Sequence, residues 1–234
     1  MQKEHPILFS TDMVNAILDK RKVMTRRLKG LEEVNKNPES WIARQTYEWQ
    51  SKHDKSVYAI MFDGERTIIL KCPYGNIGDL LYVRETWVNL GYNNCDFDEY
   101  QENYVVFKAS ENGREWEENM EGWRWKPGIH LPKKDSRIWL EITGIKVERL
   151  QDIPEADAME EGVERIAMPE CSGFWNYIKN SVGFSSATGS FQSLWEKING
   201  PESWAANPWV WAITFKVIST DGKPEKNDRR HNSI

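Results

Sequence analysis

Two stretches of the chain hold side chains whose types and spacing could do chemistry. "RKVMTRR" (residues 21–27) places Lys22 three residues before Thr25, with Arg26 and Arg27 directly after. A hydroxyl is a poor nucleophile at neutral pH and needs a neighbouring base. A lysine becomes that base when a pocket strips its water and lowers its pKa. Residues at i and i+3 can meet where the segment turns or coils tightly. A carboxylate from elsewhere would then orient the lysine or handle the leaving group's proton. Arg26 and Arg27 are equally suited to binding a phosphate. The plainer reading is a basic helix end that complements the helix dipole, with Thr25 a surface hydroxyl.

The second stretch is "GDLLYVRETW" (78–87). Arg84 and Glu85 close a strand and face opposite ways while it stays regular, with Trp87 on the side of Glu85. A charged pair beside a tryptophan could line a ligand pocket, or could be an ordinary solvated strand edge. Downstream, "WRWKPGIHLPKKDSRI" (123–138) sets two tryptophans and His130 among basic residues. That mixture suits stacking on single-stranded nucleic acid, or a loop whose tryptophans pack onto the body of the protein. Glu160 and Glu161, in "DAMEEGV", fall near a helix end where the dipole disfavours a carboxylate, and nothing local separates one from the other.

Composition narrows the function classes. The 234 residues suit one elaborated domain or two small ones. A formal net charge of −5 argues against coating DNA nonspecifically, yet leaves room for a small basic pocket. The 12 tryptophans provide core material and also flat platforms for bases. No apolar run is long enough to span a bilayer, and "MQKEHPILFSTD" lacks the apolar core of a secretory signal, so the expectation is a cytoplasmic protein with no membrane partner. Cys72, Cys95 and Cys171 are widely spaced and the four histidines do not pair with them. Reduced thiols are expected, with no metal site and no cofactor.

The positioning elements can be read from periodicity. "PILF" (6–9) predicts a strand, followed by a helix over about 12–19 capped by Ser10 or Thr11, with Met13, Val14, Ile17 and Leu18 on one face. Residues 30–56 read as a polar insertion. "VYAIMF" and "RTIILKC" predict a hairpin about Asp63-Gly64. Residues 90–136 read as a second insertion, with a possible strand at "YVVFKA". "RIWLEITGIKVERL" (137–150) alternates, with a possible bulge at Gly144. "DIPEADAMEEG" predicts a helix capped by Asp152 and ended by Gly162. "GFWNYIKNSV" predicts a short helix, and "SFQSLWEKING" a longer one capped by Ser190 and stopped by Gly200. "PWVWAITFKVI" (208–218) is the clearest strand, and the last sixteen residues are expected to fray. Many strands with few intervening helices favour a small closed or partly open β-barrel, mainly β with short helices.

These pieces together resemble a known family. "KRKVMTRR" is similar to the signature of ASCH domains, which are PUA-like: Gly-x-Lys-x-x-Thr-x-Arg, matched here by Lys22, Thr25 and Arg27. Lys20 stands where the family usually has Gly. "GDLLYV", "RIWLEITGIKVERL" and "PWVWAITFKV" resemble the family's barrel strands. "CPYGNIGDLLYVRETW" and "KPGIHLP" are similar to stretches of the larger, Trp-rich ASCH proteins of phages and prophages. The resemblance covers about residues 6–218. It implies a single PUA-like domain over 1–220 with insertions at about 30–56 and 90–136, and a polar tail over 221–234. Some small ASCH proteins are amidohydrolases that deacetylate N4-acetylcytidine. By that likeness Lys22, Thr25 and Glu161, with Glu160 the alternative, would be catalytic. Arg26, Arg27, Arg84, Glu85, Trp87 and His130 would bind a modified nucleoside or single-stranded RNA. Two other functions are compatible with the resemblance: a non-catalytic module for RNA or modified bases, and a phage accessory protein that binds a host protein in the host cytoplasm.

Overall fold

The computed structural model describes residues 2–50, 55–89, 105–111, 124–167 and 172–224. The chain opens with β1 (Glu4–Leu8), helix α1 (Thr11–Leu18) and β2 (Met24–Arg27). Ser10 starts α1 as expected, its Oγ accepting the Met13 backbone N–H. The helix ends in a left-handed residue, Lys20, at φ 61°. A lysine bears that backbone geometry with a steric cost that Gly would not have. The turn still closes, because the Arg21 and Lys22 backbone N–H groups both donate to the Ala16 carbonyl.

β1 and β2 are the two edges of a five-stranded sheet. β6 (Leu80–Arg84), β9 (Trp139–Arg149) and β13 (Trp209–Ser219) lie between them, in the order β1-β6-β9-β13-β2. Only the β1/β6 pair is parallel. The two edge strands do not pair with each other, so the described residues form an open sheet; of the closed or partly open barrel anticipated from the strand count, the closed form is not seen among them. The expected irregularity at Gly144 is present: the β9/β13 register shifts there, with Thr214 opposite Gly144 and Phe215 opposite Ile142.

A second sheet joins β3 (Ile42–Gln50), β4 (Lys55–Phe62) and β5 (Thr67–Lys71). The Asp63-Gly64 turn forms as predicted, with Gly64 at φ 99° and the Asp63 carboxylate accepting the Glu65 and Arg66 N–H groups. β3 lies within residues 30–56, the stretch read from the sequence as a polar insertion, where no strand was expected. A register shift between Ala43 and Gln45 interrupts its alternation and hides the strand in the sequence. β7 (Trp87–Asn89) pairs with β8 (Val105–Phe107), the strand anticipated at "YVVFKA".

The C-terminal third holds α2 (Glu155–Glu160), the small sheet β10 (Arg165–Ala167), β11 (Ser172–Asn176) and β12 (Ser181–Phe184), and α3 (Ala187–Asn199). Three readings change here. "GFWNYIKNSV" is a hairpin and not a helix. The Asn176 side chain accepts the Ile178 and Lys179 N–H groups, and Asn180 turns left-handed at φ 53°. Pro154, not Asp152, precedes α2. Ser186, not Ser190, caps α3 by accepting the Gly189 N–H, while the Ser190 hydroxyl donates to the Trp175 carbonyl. The expected fraying does not begin at residue 219, since Gly222 N–H donates to the Arg137 carbonyl; residues 225–234 lie outside the described part.

β13 sits at the centre of the packing. Trp209, Trp211, Ile213 and Phe215 enter the main core with Ile7, Phe9 and Met61, while Val210 enters a second core with Phe191, Trp195 and Ala158. Burial on both faces explains its unbroken apolar run. Among the described residues, no helix is long and apolar enough to cross a membrane.

Candidate functional site

The turn after α1 carries Lys22 into the interior, where its side chain is 0% exposed. Its Nζ donates to the Glu161 carboxylate at 2.7 Å and to the Glu161 carbonyl at 2.8 Å. Glu161 is the residue that closes α2, and it forms a backbone bridge with Lys22. Gly162 allows this approach. It adopts φ 88°, and a Cβ there would lie 2.7 Å from the Lys22 Cβ and 2.8 Å from the Ala16 Cβ. Glu160 is exposed, whereas Glu161 is buried.

Arg26 takes the other oxygen of Glu161, at 3.1 Å from Nη1. Its Nη2 also meets Glu148 at 2.6 Å and Asp157 at 2.9 Å. A buried charge needs such partners, because stripping its water is costly. Burial pulls the Arg26 guanidinium down, but Glu161 and Glu148 more than offset this and hold it above its usual range. Lys22 ends on the other side of the balance. Burial depresses its pKa, Arg27 and Arg26 add to the depression, and Glu161 opposes it incompletely. The direction is the one a general base at neutral pH requires.

A cavity of about 200 Å³ opens beside this network. Thr25, 1% exposed, lines it together with Arg26, Arg27 and Glu161. α3 supplies the facing wall through Phe191, Leu194, Trp195 and Ile198, and Tyr74 and Met13 lie at its border. Arg27 lies over the Phe9 ring at 4.9 Å from its centroid and donates from Nη2 to the Leu8 carbonyl at 2.7 Å. Burial lowers its pKa, and among the described residues no carboxylate ion-pairs with it. The arrangement thus combines a depressed lysine, a shielded hydroxyl, an acid and a guanidinium with donor capacity left over.

The remaining sequence candidates do not line the cavity. Glu85, 1% exposed, forms a two-pronged pair with Arg137, Nε to Oε1 and Nη2 to Oε2 both at 2.9 Å. Burial raises its pKa, opposed by Arg137. Trp87 is buried where β7 leaves the main sheet, with Lys126 over its ring at 5.0 Å. Arg84 lies over Tyr82 and donates to the Ile129 carbonyl at 3.3 Å, and His130 is exposed. These four form a separate group, because β9 brings Arg137 to Glu85 while β7 carries Trp87 toward the second insertion. Cys72 is buried and its thiol is pushed up to about 12, far from a reactive thiolate. Cys95 and Cys171 lie outside the described residues, and no metal-ligand cluster occurs among the described ones.

Sequence reasoning missed Glu148, Asp157, Tyr74 and Arg137 as parts of these clusters. Trp195 lies in the predicted helix "SFQSLWEKING", where it repeats at helical spacing with Phe191, Leu194 and Ile198 and reads as core and not as site. Glu148 had no local signal, because "IKVERL" also holds the charged Lys146 and Arg149.

No family model matches the chain. No curated protein and no solved structure matches it either.

Proposed function

We propose that the protein is a PUA-like amide hydrolase that removes the acyl group from N4-acetylcytidine or a related modified base. The observation that carries this reading is the buried Lys22–Glu161 pair, 2.7 Å apart, whose Glu161 lines a cavity together with Thr25, while Lys22 lies behind that lining. In this scheme neutral Lys22 takes the Thr25 hydroxyl proton while the Thr25 oxygen bonds to the acyl carbon. Arg27, which ion-pairs with no carboxylate among the described residues, faces the oxyanion. The carbon–nitrogen bond then breaks as a proton passes to the departing amine, with Glu161 holding Lys22 in position to deliver it. Water hydrolyses the resulting ester, freeing acetate and restoring Thr25. No metal takes part in this scheme.

The test is acetate release from N4-acetylcytidine by the full chain. Activity that disappears in both Lys22→Ala and Thr25→Ala, with each variant folded by circular dichroism, supports the reading. Acetate release that persists in Thr25→Ala rules it out.

A second reading is a pocket that grips a modified or single-stranded base without chemistry. It is favoured by the saturation of Glu161, whose two oxygens are already engaged by Lys22 and Arg26. Under it, N4-acetylcytidine binds intact, Thr25→Ala keeps the affinity, and Arg27→Ala loses it.

A further inference from the structure

The sheet of β3, β4 and β5 turns one face to the core and one to solvent. Val57, Ala59 and Met61 of β4 enter the main core. Tyr58, Ile60 and Phe62 alternate with them and so point the other way, and none of the three packs against that core. Register carries this outward parity across the sheet. Ile42, Gln45 and Tyr47 of β3 stand opposite Phe62, Ile60 and Tyr58. Thr67, Ile69 and Lys71 of β5 stand opposite the same three. Ile42 and Ile69 are 64% and 58% exposed, more than any other large apolar residue among the described ones.

Rings and cations share this face. The Tyr47 and Tyr58 rings stack across the strands, with centroids 5.9 Å apart and 26° between planes. Lys71 lies over Tyr58 at 5.9 Å and the Arg44 guanidinium over Phe62 at 4.3 Å, each to the ring centroid. Arg44 is the unpaired residue of the β3 bulge and is exposed, and no carboxylate among the described residues ion-pairs with it. Among the described residues, the outward positions hold no acid. Glu48 has the inward parity, opposite Val57, and Glu65 lies past the Asp63-Gly64 turn.

That composition narrows the occupant. A second copy related by a two-fold axis would set Arg44 and Lys71 against the same cations and rings, with no carboxylate to meet them. The cations call for an anion, and the rings for a partner with flat faces of its own. A nucleic-acid duplex stacks its base faces on one another, whereas a single strand offers free base faces and phosphates together.

We propose that the outward face of this sheet docks single-stranded nucleic acid: a base stacks on Tyr47, the ring at the open β3 edge, and Arg44, braced on Phe62, meets a phosphate. Tyr58 and Phe62 are four residues apart on β4, so the two stations lie roughly 13 Å from each other, beyond the reach of a single nucleotide. The cavity has no residue of these strands in its lining, so the inference stands apart from the proposed hydrolysis.

The experiment measures fluorescence anisotropy of labelled oligodeoxyuridylate and oligouridylate with the full chain over a salt series, with a duplex and uridine monophosphate as competitors. The wild type is expected to bind a single strand about tenfold or more tightly than the duplex or the mononucleotide. The tighter of the two strands names the sugar, and either result supports the surface. Tyr47→Ala should lower the affinity about tenfold and leave the salt dependence unchanged. Arg44→Ala should lower it as well and flatten the slope of log K against log salt by about 0.7, one phosphate contact. A wild type with no preference for a single strand overturns the proposal without recourse to any variant. So does unchanged affinity in folded Tyr47→Ala and Arg44→Ala. A loss in Arg27→Ala with none in Tyr47→Ala would put the strand in the cavity and overturns it too. Tighter binding to phosphatidylserine vesicles than to either strand, or a dimer in sedimentation that Ile69→Asp dissolves, would make the face a membrane or self-contact surface and likewise overturns it.

Discussion

Two of the buried carboxylates among the described residues, Glu161 and Glu85, have their charge resolved in opposite ways. Glu85 meets one guanidinium, two prongs to two oxygens, and the account closes at one acid and one base. Glu161 is shared between Lys22 and Arg26, Arg26 is shared further with Glu148 and Asp157, and Arg27 adds a third cation that ion-pairs with no carboxylate among the described residues. A closed pair has nothing left to offer a ligand, so Glu85–Arg137 serves as a clamp between β6 and the start of β9. The shared network borders a cavity; buried nitrogens without partners occur in both regions, Arg27 Nε and Trp195 Nε1 in one and Arg84 Nε and Trp87 Nε1 in the other, so the open volume is what distinguishes them. Burial of charge alone therefore does not mark a site; an open volume beside it is the better signal.

Breaking each ion-pair cluster at one member should separate the two regions. The largest effect is expected from Glu161→Ala, which strands Lys22 in the interior and takes one partner from Arg26. A loss of about 3–5 kcal/mol in urea-unfolding free energy is expected. A loss below about 1 kcal/mol would mean that the network relaxes to water and is not a buried unit. The intermediate effect is Arg137→Met, at roughly 2–3 kcal/mol near neutral pH, because Glu85 then sits unpaired. Its sign with pH can be worked out. The Glu85 pKa is raised above its ordinary 4.5 by burial, so its contribution to stability is fully present below 4.5 and is lost as pH rises through the folded value. Arg137 opposes that shift, so its removal raises the value further. The deficit of Arg137→Met should shrink as pH is lowered from 7 toward 5, measured by urea melts at both; a constant deficit would show that Glu85 does not titrate there.

The smallest effect belongs to the backbone that delivers Lys22. Lys20 holds φ 61°, and Lys20→Gly removes the steric cost while adding freedom to the unfolded chain. The net change should be stabilising by about 0.5 kcal/mol or less, read from the shift in melting temperature. A clear destabilisation would mean that the lysine side chain itself supports the turn.

Legibility differed sharply between elements. α1, the Asp63-Gly64 hairpin and β13 could be read because their signals are local: a capping serine, a turn pair, a run of large apolar residues. β3 was lost to its bulge, and the β11–β12 hairpin was lost to an asparagine whose side chain builds the turn. Among the site residues, Lys22 and Thr25 stood out by spacing, but the way they are arranged did not follow from it. Of the turn or tight coil that could bring them together, the chain takes a turn leading into a strand, with Lys22 ahead of β2 and Thr25 within it.

What the residues alone determined is the class of the molecule, mainly β with short helices, and the side chains able to do chemistry. Those properties depend on near neighbours and on composition. Which acid meets Lys22, that Glu85 belongs to Arg137, and that Trp195 shares a cavity with Thr25 were decided only by the tertiary structure. The partners stand 139, 52 and 170 positions apart in sequence. Contacts at such separations come from the pairing of β2, β9 and β13 and the packing of two helices onto them, for which no local pattern carries the information.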